Sequence, residues 1–174
     1  MRGIHMILVC VLLSSVLWRC SSRESRSIPD GIKQIMSDSS IQYDEIMHIE
    51  VYHDGFLAFY RNDSGLNAGF IRNASDGLKW IIGTGGAELD SEIGLSWTAS
   101  NLVEVPIYFI FGVISDPDIA QVKTNKPDAT LEKTAKIVTT NDGTRIWFVL
   151  FENPVNAPLD VIGLSKDGKI LNEQ

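Results

Sequence analysis

Apolar residues of this chain are concentrated in short runs that are hydrophobic at both odd and even positions. The two most apolar runs cover residues 105–114 and 146–151. Because alternate side chains of a strand point to opposite faces of its sheet, such runs predict strands covered on both faces, as in the middle of a sandwich. We therefore expect the rest of the chain to supply the layers that cover these two strands.

Four Asp-Gly dipeptides separate strand-like runs, and they begin at Asp54, Asp76, Asp142 and Asp167. Asp-Gly between apolar runs is a strong hairpin signal, because both central residues of a type I′ turn require positive φ. The pattern predicts an antiparallel meander in the first half of the chain. Its predicted strands are residues 43–53, 56–62, 66–72 and 78–82.

The second half has the strand count and turn spacing of an immunoglobulin-like sandwich. Strands are predicted at 95–98, 105–114, 119–124, 131–140, 146–151, 159–164 and 169–171, with a turn at Ser100-Asn101. Residues 28–36 have helical apolar spacing and carry Pro29 in the first turn, which predicts a short helix on the sheet edge. The predicted fold is mainly β: a meander, then an immunoglobulin-like β-sandwich half, with one short N-terminal helix.

The first 18 residues form a largely apolar segment that ends before the polar residues 19–27. From Ile4 to Trp18 a helix would span roughly 20 Å, short of the ~30 Å hydrocarbon core. This length is typical of a signal-peptide hydrophobic region. The chain is thus divided into a signal or anchor segment (1–19), a polar tether with the short helix (20–42), an N-terminal antiparallel β lobe (43–100) and a C-terminal β-sandwich-like lobe (101–174).

The segment Leu17-x-x-Cys20, followed by serines, resembles a bacterial lipoprotein signal, whose cysteine is lipidated after cleavage. It departs from that signal at Arg19, where a small residue is usual. An uncleaved signal anchor is the alternative, with Cys20 serving as a small hydrophobic side chain. Both versions place the chain from Ser21 onward on the extracytoplasmic face of the cell membrane.

Three stretches of the C-terminal half carry a second resemblance. They are Phe111-Gly-Val-Ile-Ser-Asp-Pro117, Gly143-Thr-Arg-Ile-Trp-Phe148 and Val161-Ile-Gly-Leu-Ser-Lys-Asp-Gly-Lys169. In this order they resemble the small exported, often lipid-anchored proteins of Gram-positive bacteria that have no assigned activity. The resemblance extends from Tyr43 to the end of the chain. It implies export, and it brings no catalytic or binding residues with it.

The charge and the cysteine content of the chain disfavour several classes of function. The chain has 15 basic and 22 acidic residues, a formal net charge of −7. Such a surface repels phosphate backbones and anionic lipids, which disfavours nucleic-acid binding and attachment by a basic patch. Both cysteines, Cys10 and Cys20, lie in or beside the leader, so we predict no disulfide framework, zinc site or cofactor.

Three stretches could carry chemistry, and a plain structural interpretation is preferred for each. Residues 83–86 are Gly-Thr-Gly-Gly but lack the lysine and spacing of a phosphate loop, so we predict a flexible surface loop. The acidic residues of 88–92 and the pair Asp116 and Asp118 could bind a cation, but their spacing favours a solvated connection and a turn. His48 and His53 fall in a strand and beside a turn, where packing or solvent contact is favoured over catalysis.

The sequence predicts a non-enzymatic, membrane-tethered module that contacts another envelope protein or a wall component. The alternative is a small-ligand or cation-binding sensor domain that uses the acidic loops at 88–92 or 116–118. A hydrolase is the least favoured, because the chain has no GxSxG or HExxH motif and no evident nucleophile and base pair.

Overall fold

The computed structural model describes residues 27–102, 105–128 and 131–174. Over these residues the chain forms one helix and twelve strands, arranged in three four-stranded antiparallel sheets. The prediction of a mainly β protein with one short N-terminal helix is confirmed. The leader and Cys20 lie outside the described residues.

Helix α1 spans Ile28–Asp38 and begins as its sequence predicts. The Ser27 side chain caps it by accepting a hydrogen bond from the backbone N–H of Asp30 at 3.3 Å. Its buried residues Ile32 and Met36 pack on the broad outer face of the first sheet. The nearest backbone contacts of the helix are with the last strand of that sheet, which is an edge strand, as predicted, and its side chains also cover the outer face.

Sheet A is the predicted meander, with strands in the order β1-β2-β3-β4. Its strands are β1 (Glu45–Tyr52), β2 (Gly55–Asn62), β3 (Gly65–Ala74) and β4 (Gly77–Ala87). Strand β4 runs through residues 83–86, so the predicted surface loop there is wrong. A side chain at Gly83 would meet the Trp80 ring, and one at Gly85 would clash with Asn67. These glycines give room to neighbouring side chains on the sheet.

All four Asp-Gly pairs lie at hairpins, but their turns are not of the predicted type. At Gly77, Gly143 and Gly168 the glycine has a φ of +124°, +86° and +85°, and the preceding aspartate does not have positive φ. At the first pair the positive φ of 48° belongs to His53, and Gly55 already lies in β2. At Gly143 and Gly168, a single left-handed glycine after the turn is the arrangement of longer hairpin loops, which removes the need for positive φ at the aspartate. Gly77 instead pairs with Ala74 at the start of β4, next to a two-residue loop.

The C-terminal half forms a sandwich of two sheets. Its strands are β5 (Thr98–Leu102), β6 (Ile107–Ile114), β7 (Gln121–Asn125), β8 (Glu132–Thr134), β9 (Lys136–Thr139), β10 (Arg145–Phe151), β11 (Asp160–Leu164) and β12 (Ile170–Glu173). Sheet B has the order β5-β6-β10-β9, and sheet C has the order β12-β11-β7-β8. The two most apolar runs of the chain thus become the central pair of sheet B.

Several assignments of the C-terminal half differ from the prediction, and the predicted strand at 95–98 overlaps β5 only at Thr98. Residues 131–140 form two strands in different sheets, and the chain crosses between them at Ala135, whose N–H bonds to the Val122 carbonyl at 2.8 Å. The predicted turn at Ser100-Asn101 lies inside β5. There Ser100 pairs with Phe109, while the Asn101 side chain accepts the Val155 N–H at 3.1 Å. That remote partner satisfies a side chain that would otherwise favour a turn.

Sheet B lies between the other two sheets, so the three form successive layers. Odd-numbered residues of β6 face sheet A, where Phe109 and Phe111 join Phe59 in one buried cluster. Even-numbered residues such as Ile110 join Trp147 in the cluster against sheet C. The expectation that 105–114 and 146–151 are covered on both faces is confirmed. The cluster between sheets A and B also unites the two halves of the chain.

Candidate functional site

A cavity of about 300 Å³ opens at one end of the interface between sheets A and B. We call it the seam pocket. Four parts of the chain build it: the β1–β2 turn, β3, the residues that enter β6, and the residue that follows β10. Its lining residues are His53, Asp54, Phe70, Arg72, Pro106, Ile107 and Glu152.

The seam pocket combines an apolar base with a charged entrance. Phe70 and Ile107 are almost fully buried and belong to the cluster between sheets A and B. At the entrance, Arg72 Nε lies 2.9 Å from Asp54 Oδ2, and the guanidinium carbon lies 6.0 Å from the Phe70 ring centroid. Glu152 forms no ion pair with any residue that the structure describes. Lys126 and Lys133 line a neighbouring cavity together with Glu152, so the charges around this entrance are mixed.

Two aromatic side chains of the β1–β2 hairpin adjoin the seam pocket. The buried Tyr52 hydroxyl donates to the Phe151 carbonyl at 3.2 Å. Burial raises the pKa of Tyr52, and the negative charge of Glu152 raises it further, so Tyr52 stays a neutral donor at neutral pH. The exposed His53 has a φ of 48°, which is uncommon for a residue other than glycine, and its ring packs edge-on against Tyr52 at 4.1 Å. His53 is exposed beside the turn, as its position in the sequence predicts.

A second concave region, which we call the acidic groove, consists of two adjoining hollows of about 700 and about 410 Å³. The β2–β3 turn, the connection after β4 and the turn after β6 line it. Its acidic residues are Asp63, Glu88, Asp90, Glu92 and Asp116. None of these carboxylates forms an ion pair within the described part of the chain.

Backbone hydrogen bonds bring the two predicted acidic segments together. The Gly94 carbonyl accepts the N–H groups of both Ser115 and Asp116 at 3.0 Å. Asp116 also accepts the Asp118 N–H at 2.8 Å, which confirms the predicted turn. Across residues 27–102, 105–128 and 131–174, no group of three or more carboxylate, histidine or cysteine side chains is placed to hold a metal ion. The groove therefore presents spread negative charge to its surroundings.

His48 lies away from both cavities, in a packed network between sheets A and B. Its ring stacks on Phe59 and Phe148, with centroids 6.1 and 5.8 Å away. Glu50 Oε2 lies 2.9 Å from His48 Nε2 and 2.7 Å from Lys136 Nζ. Burial opposes ionisation of Glu50, but the hydrogen bonds and charges of Lys136 and His48 outweigh it and lower its pKa. The predicted cross-strand packing role of His48 is confirmed.

Sequence reasoning identified the acidic groove in two pieces and missed the seam pocket. The residues that form the seam pocket are far apart in sequence, and Arg72 and Glu152 follow no motif. The one available signal was the charge of these two residues at the ends of apolar strands. The other seam-pocket residues have no pattern that distinguishes them from core positions.

Fold and cavities define an antiparallel, three-sheet β protein whose surface has several concave regions, among them the seam pocket and the acidic groove. Comparisons with protein-family models, curated proteins and solved structures found no match to this chain. Within the described residues, no helix has the length and hydrophobicity needed to cross a bilayer.

Proposed function

We propose that this chain is an exported, membrane-tethered and non-enzymatic interaction module. Its N-terminal segment holds it at the extracytoplasmic face of the cell membrane, through a lipid on Cys20 or an uncleaved signal anchor. Its folded part contacts another envelope protein or a wall component. The acidic groove is the contact surface in this proposal.

The observation that carries the proposal is the uncompensated charge of the groove. Three loops, two that follow strands of sheet A and one that follows β6 of sheet B, converge to place five carboxylates around one concave region. Exposed like charges repel one another unless a positively charged partner is present, and complementary charge also accelerates encounter. The partner is therefore expected to present a lysine- or arginine-rich segment.

The proposal is tested by photo-crosslinking in intact cells, with the crosslinking residue placed at Ser64 beside the groove. The variant Asp63→Asn/Glu92→Gln removes two groove carboxylates and is expected to lose most of the crosslinked product. The control Asp38→Asn/Glu132→Gln removes the same charge outside the groove and is expected to retain it. Equal recovery from both variants would exclude the groove, and repeated recovery of no partner would contradict an interaction module.

A second candidate is a small-ligand or cation-binding sensor domain that uses the same acidic loops. The shared Gly94 carbonyl supports it, because its two hydrogen bonds fix the loop after β4 beside the turn after β6. Thermal unfolding of the full chain with calcium, magnesium, manganese and spermidine tests this candidate. A rise in Tm that Asp63→Asn/Glu92→Gln abolishes would favour it, and a flat response to all four would remove it.

A further inference from the structure

We infer that one end of sheet A rests on the membrane surface and that the acidic groove faces away from it. The end that rests on the membrane carries the β1–β2 and β3–β4 turns, and we call it the proximal end. This inference rests on the membrane tether of the proposed function and adds an orientation to it. A partner of the groove would then lie away from the bilayer, as a wall component or the outer part of an envelope protein does.

Residue 27, the first that the structure describes, lies at the proximal end. The Gly31 N–H donates to the Ser27 carbonyl at 2.9 Å, which closes the first turn of α1. Gly31 lies against Leu78 of β4, since a Cβ added at Gly31 would be 3.0 Å from Leu78 Cδ1. Leu78 follows Gly77, the first residue of β4, so Ser27 lies about one helical turn from the β3–β4 turn.

The acidic groove lies at the opposite end of the same sheet. Its β2–β3 turn precedes β3 and its residue Glu88 follows β4, whereas the β3–β4 turn joins the other ends of these two strands. Strand β3 has 10 residues, and at about 3.3 Å per residue the two ends of the sheet are roughly 30 Å apart. The tether therefore joins the folded chain at one end of sheet A, and the groove opens at the other.

The tether is too short for the opposite orientation. Residues 20–27 make seven steps, and an extended chain advances at most about 3.6 Å per residue, so Cys20 lies at most about 25 Å from Ser27. If the groove rested on the membrane, Ser27 would be held roughly 30 Å from the surface, beyond the reach of a lipid on Cys20. From Trp18, where the apolar leader ends, the limit is about 32 Å, so an uncleaved anchor would have to be fully extended.

The charges of the two ends favour the same orientation. At the proximal end, the carboxylate of Asp54 lies 2.9 Å from Arg72. The carboxylate of Asp76 likewise lies 2.8 Å from Lys79. The charges around the seam pocket, which opens at the same end, are mixed. The lining of the acidic groove, by contrast, includes five acidic and no basic residues, so an anionic leaflet repels the groove more strongly than the proximal end.

Two exposed apolar side chains lie at the proximal end. Ile28 is in the first turn of α1, and Val51 pairs with Phe56 next to the β1–β2 turn. Their exposed fractions are 53% and 73%. Single exposed apolar residues are common on protein surfaces, but these two lie at the end that the tether holds near the bilayer. There they gain free energy by entering the interfacial region, which favours an upright body over one that lies on its side.

The test is paramagnetic relaxation enhancement of the backbone amides of the full chain, purified from membranes into nanodiscs of phosphatidylcholine and phosphatidylglycerol. A small fraction of the lipid carries a chelated gadolinium ion on its headgroup, and the broadening that this ion causes falls steeply with distance. We expect the amides of Asp76 and Gly77 to lose most of their intensity. The amides of Ser64 and Glu88, at the groove, should keep theirs.

Matched variants test which side chains hold this orientation. Ile28→Ser/Val51→Ser removes both exposed apolar side chains of the proximal end. Its intensity loss at the β3–β4 turn, relative to the β2–β3 turn, is expected to fall by about twofold or more. The control Ile93→Ser/Ile170→Ser removes two side chains with exposed fractions of 58% and 52% outside the proximal end and should leave this ratio unchanged. Because all four positions are exposed, both variants should keep the dispersed amide spectrum of the folded chain.

Three outcomes would overturn the inference. The amides of the groove could be broadened as strongly as those of the proximal end, they could be broadened more strongly, or Ile28→Ser/Val51→Ser could behave like its control. Each of these leaves the proposed function in place, because photo-crosslinking from the groove can succeed in any orientation. A chain that does not remain with the nanodiscs would overturn both the tether and the orientation.

Discussion

Sheets A and C flank the same central sheet, yet their outer faces differ. In β2 of sheet A, residues 55–60 are all buried, because α1 covers the outer face. In β7 of sheet C, Val122 and Thr124 are buried and Gln121 is exposed, so burial alternates along the strand. The comparison shows that continuous and alternating hydropathy report how many faces of a sheet are covered.

The two outer sheets are also joined to sheet B by different means. Sheet A is linked to it by ion pairs of 3.0 Å between Arg61 and Asp142 and of 2.7 Å between Glu50 and Lys136. The chain connects both outer sheets to sheet B, sheet A through residues 88–97 and sheet C at Ala135, but among the described residues no ion pair joins sheet C to sheet B. Conditions that weaken ion pairs are therefore expected to affect the A–B interface more than the B–C interface.

The largest expected difference lies between the outer faces of sheets A and C. Ile71 is fully buried under α1, so Ile71→Ala is expected to lower the free energy of unfolding by about 2–5 kcal/mol. Ile162 is half-buried on the outer face of sheet C, and Ile162→Ala is expected to cost about 1 kcal/mol or less. Urea unfolding of both variants measures the difference. Equal losses would mean that α1 does not stabilise sheet A.

A smaller effect of opposite sign is expected on the inner face of sheet C. The Thr124 hydroxyl is fully buried and has no hydrogen-bond partner among the described residues. Thr124→Val keeps the shape and removes this hydroxyl, so we expect a gain of about 1 kcal/mol in the free energy of unfolding. Thr134→Val, at an exposed position of β8, is the matched control and should change little. A loss of stability in Thr124→Val would show that the hydroxyl is satisfied.

The smallest expected effect concerns the link between sheets A and B and depends on pH. Since the pKa of Glu50 is lower in the folded chain, its ionisation stabilises the fold above the unfolded pKa. This contribution is lost as the pH falls through the folded pKa. Glu50→Gln should therefore be less stable than the parent at neutral pH, by about 1 kcal/mol or less. Urea midpoints across an acid series test this expectation.

The control for that series is Glu132→Gln, which removes the ion pair of Glu132 with Lys123 on sheet C. The difference in urea midpoint between Glu132→Gln and the parent should stay small at every pH, because the ion pair that this variant loses links two strands of one sheet. A gap between Glu50→Gln and the parent that persists in acid would contradict the role assigned to Glu50.

The strands that are apolar on both faces were predictable, because burial on both faces requires a continuous run of apolar residues. Residues 105–114 and 146–151 are apolar throughout, and they form β6 and β10 in the central sheet. Helix α1 was predictable for the same reason, since Pro29 and its apolar spacing are local signals. By contrast, residues 83–86 were misassigned, because their glycines make room for the side chains of Trp80, in the same strand, and of Asn67, in the neighbouring strand β3.

The cavities were less predictable than the strands. The acidic residues at 88–92 and 116–118 were recognisable as exposed loops, but their meeting depends on the Gly94 carbonyl. The seam pocket depends on the placement of sheet A on sheet B, which brings Arg72 to the same opening as Glu152. No spacing of residues along the chain indicates that Arg72 and Glu152 lie at the same opening.

By itself, the sequence determined that this protein is mainly β, where its hairpins turn and which strands are covered on both faces. These properties follow from backbone geometry and from the hydrophobicity of near neighbours. The tertiary structure alone decided that Ala135 carries the chain from one sheet to the next, that α1 covers a face, and where the seam pocket opens. These depend on contacts between residues far apart in the chain, whose free energies arise only when the layers pack.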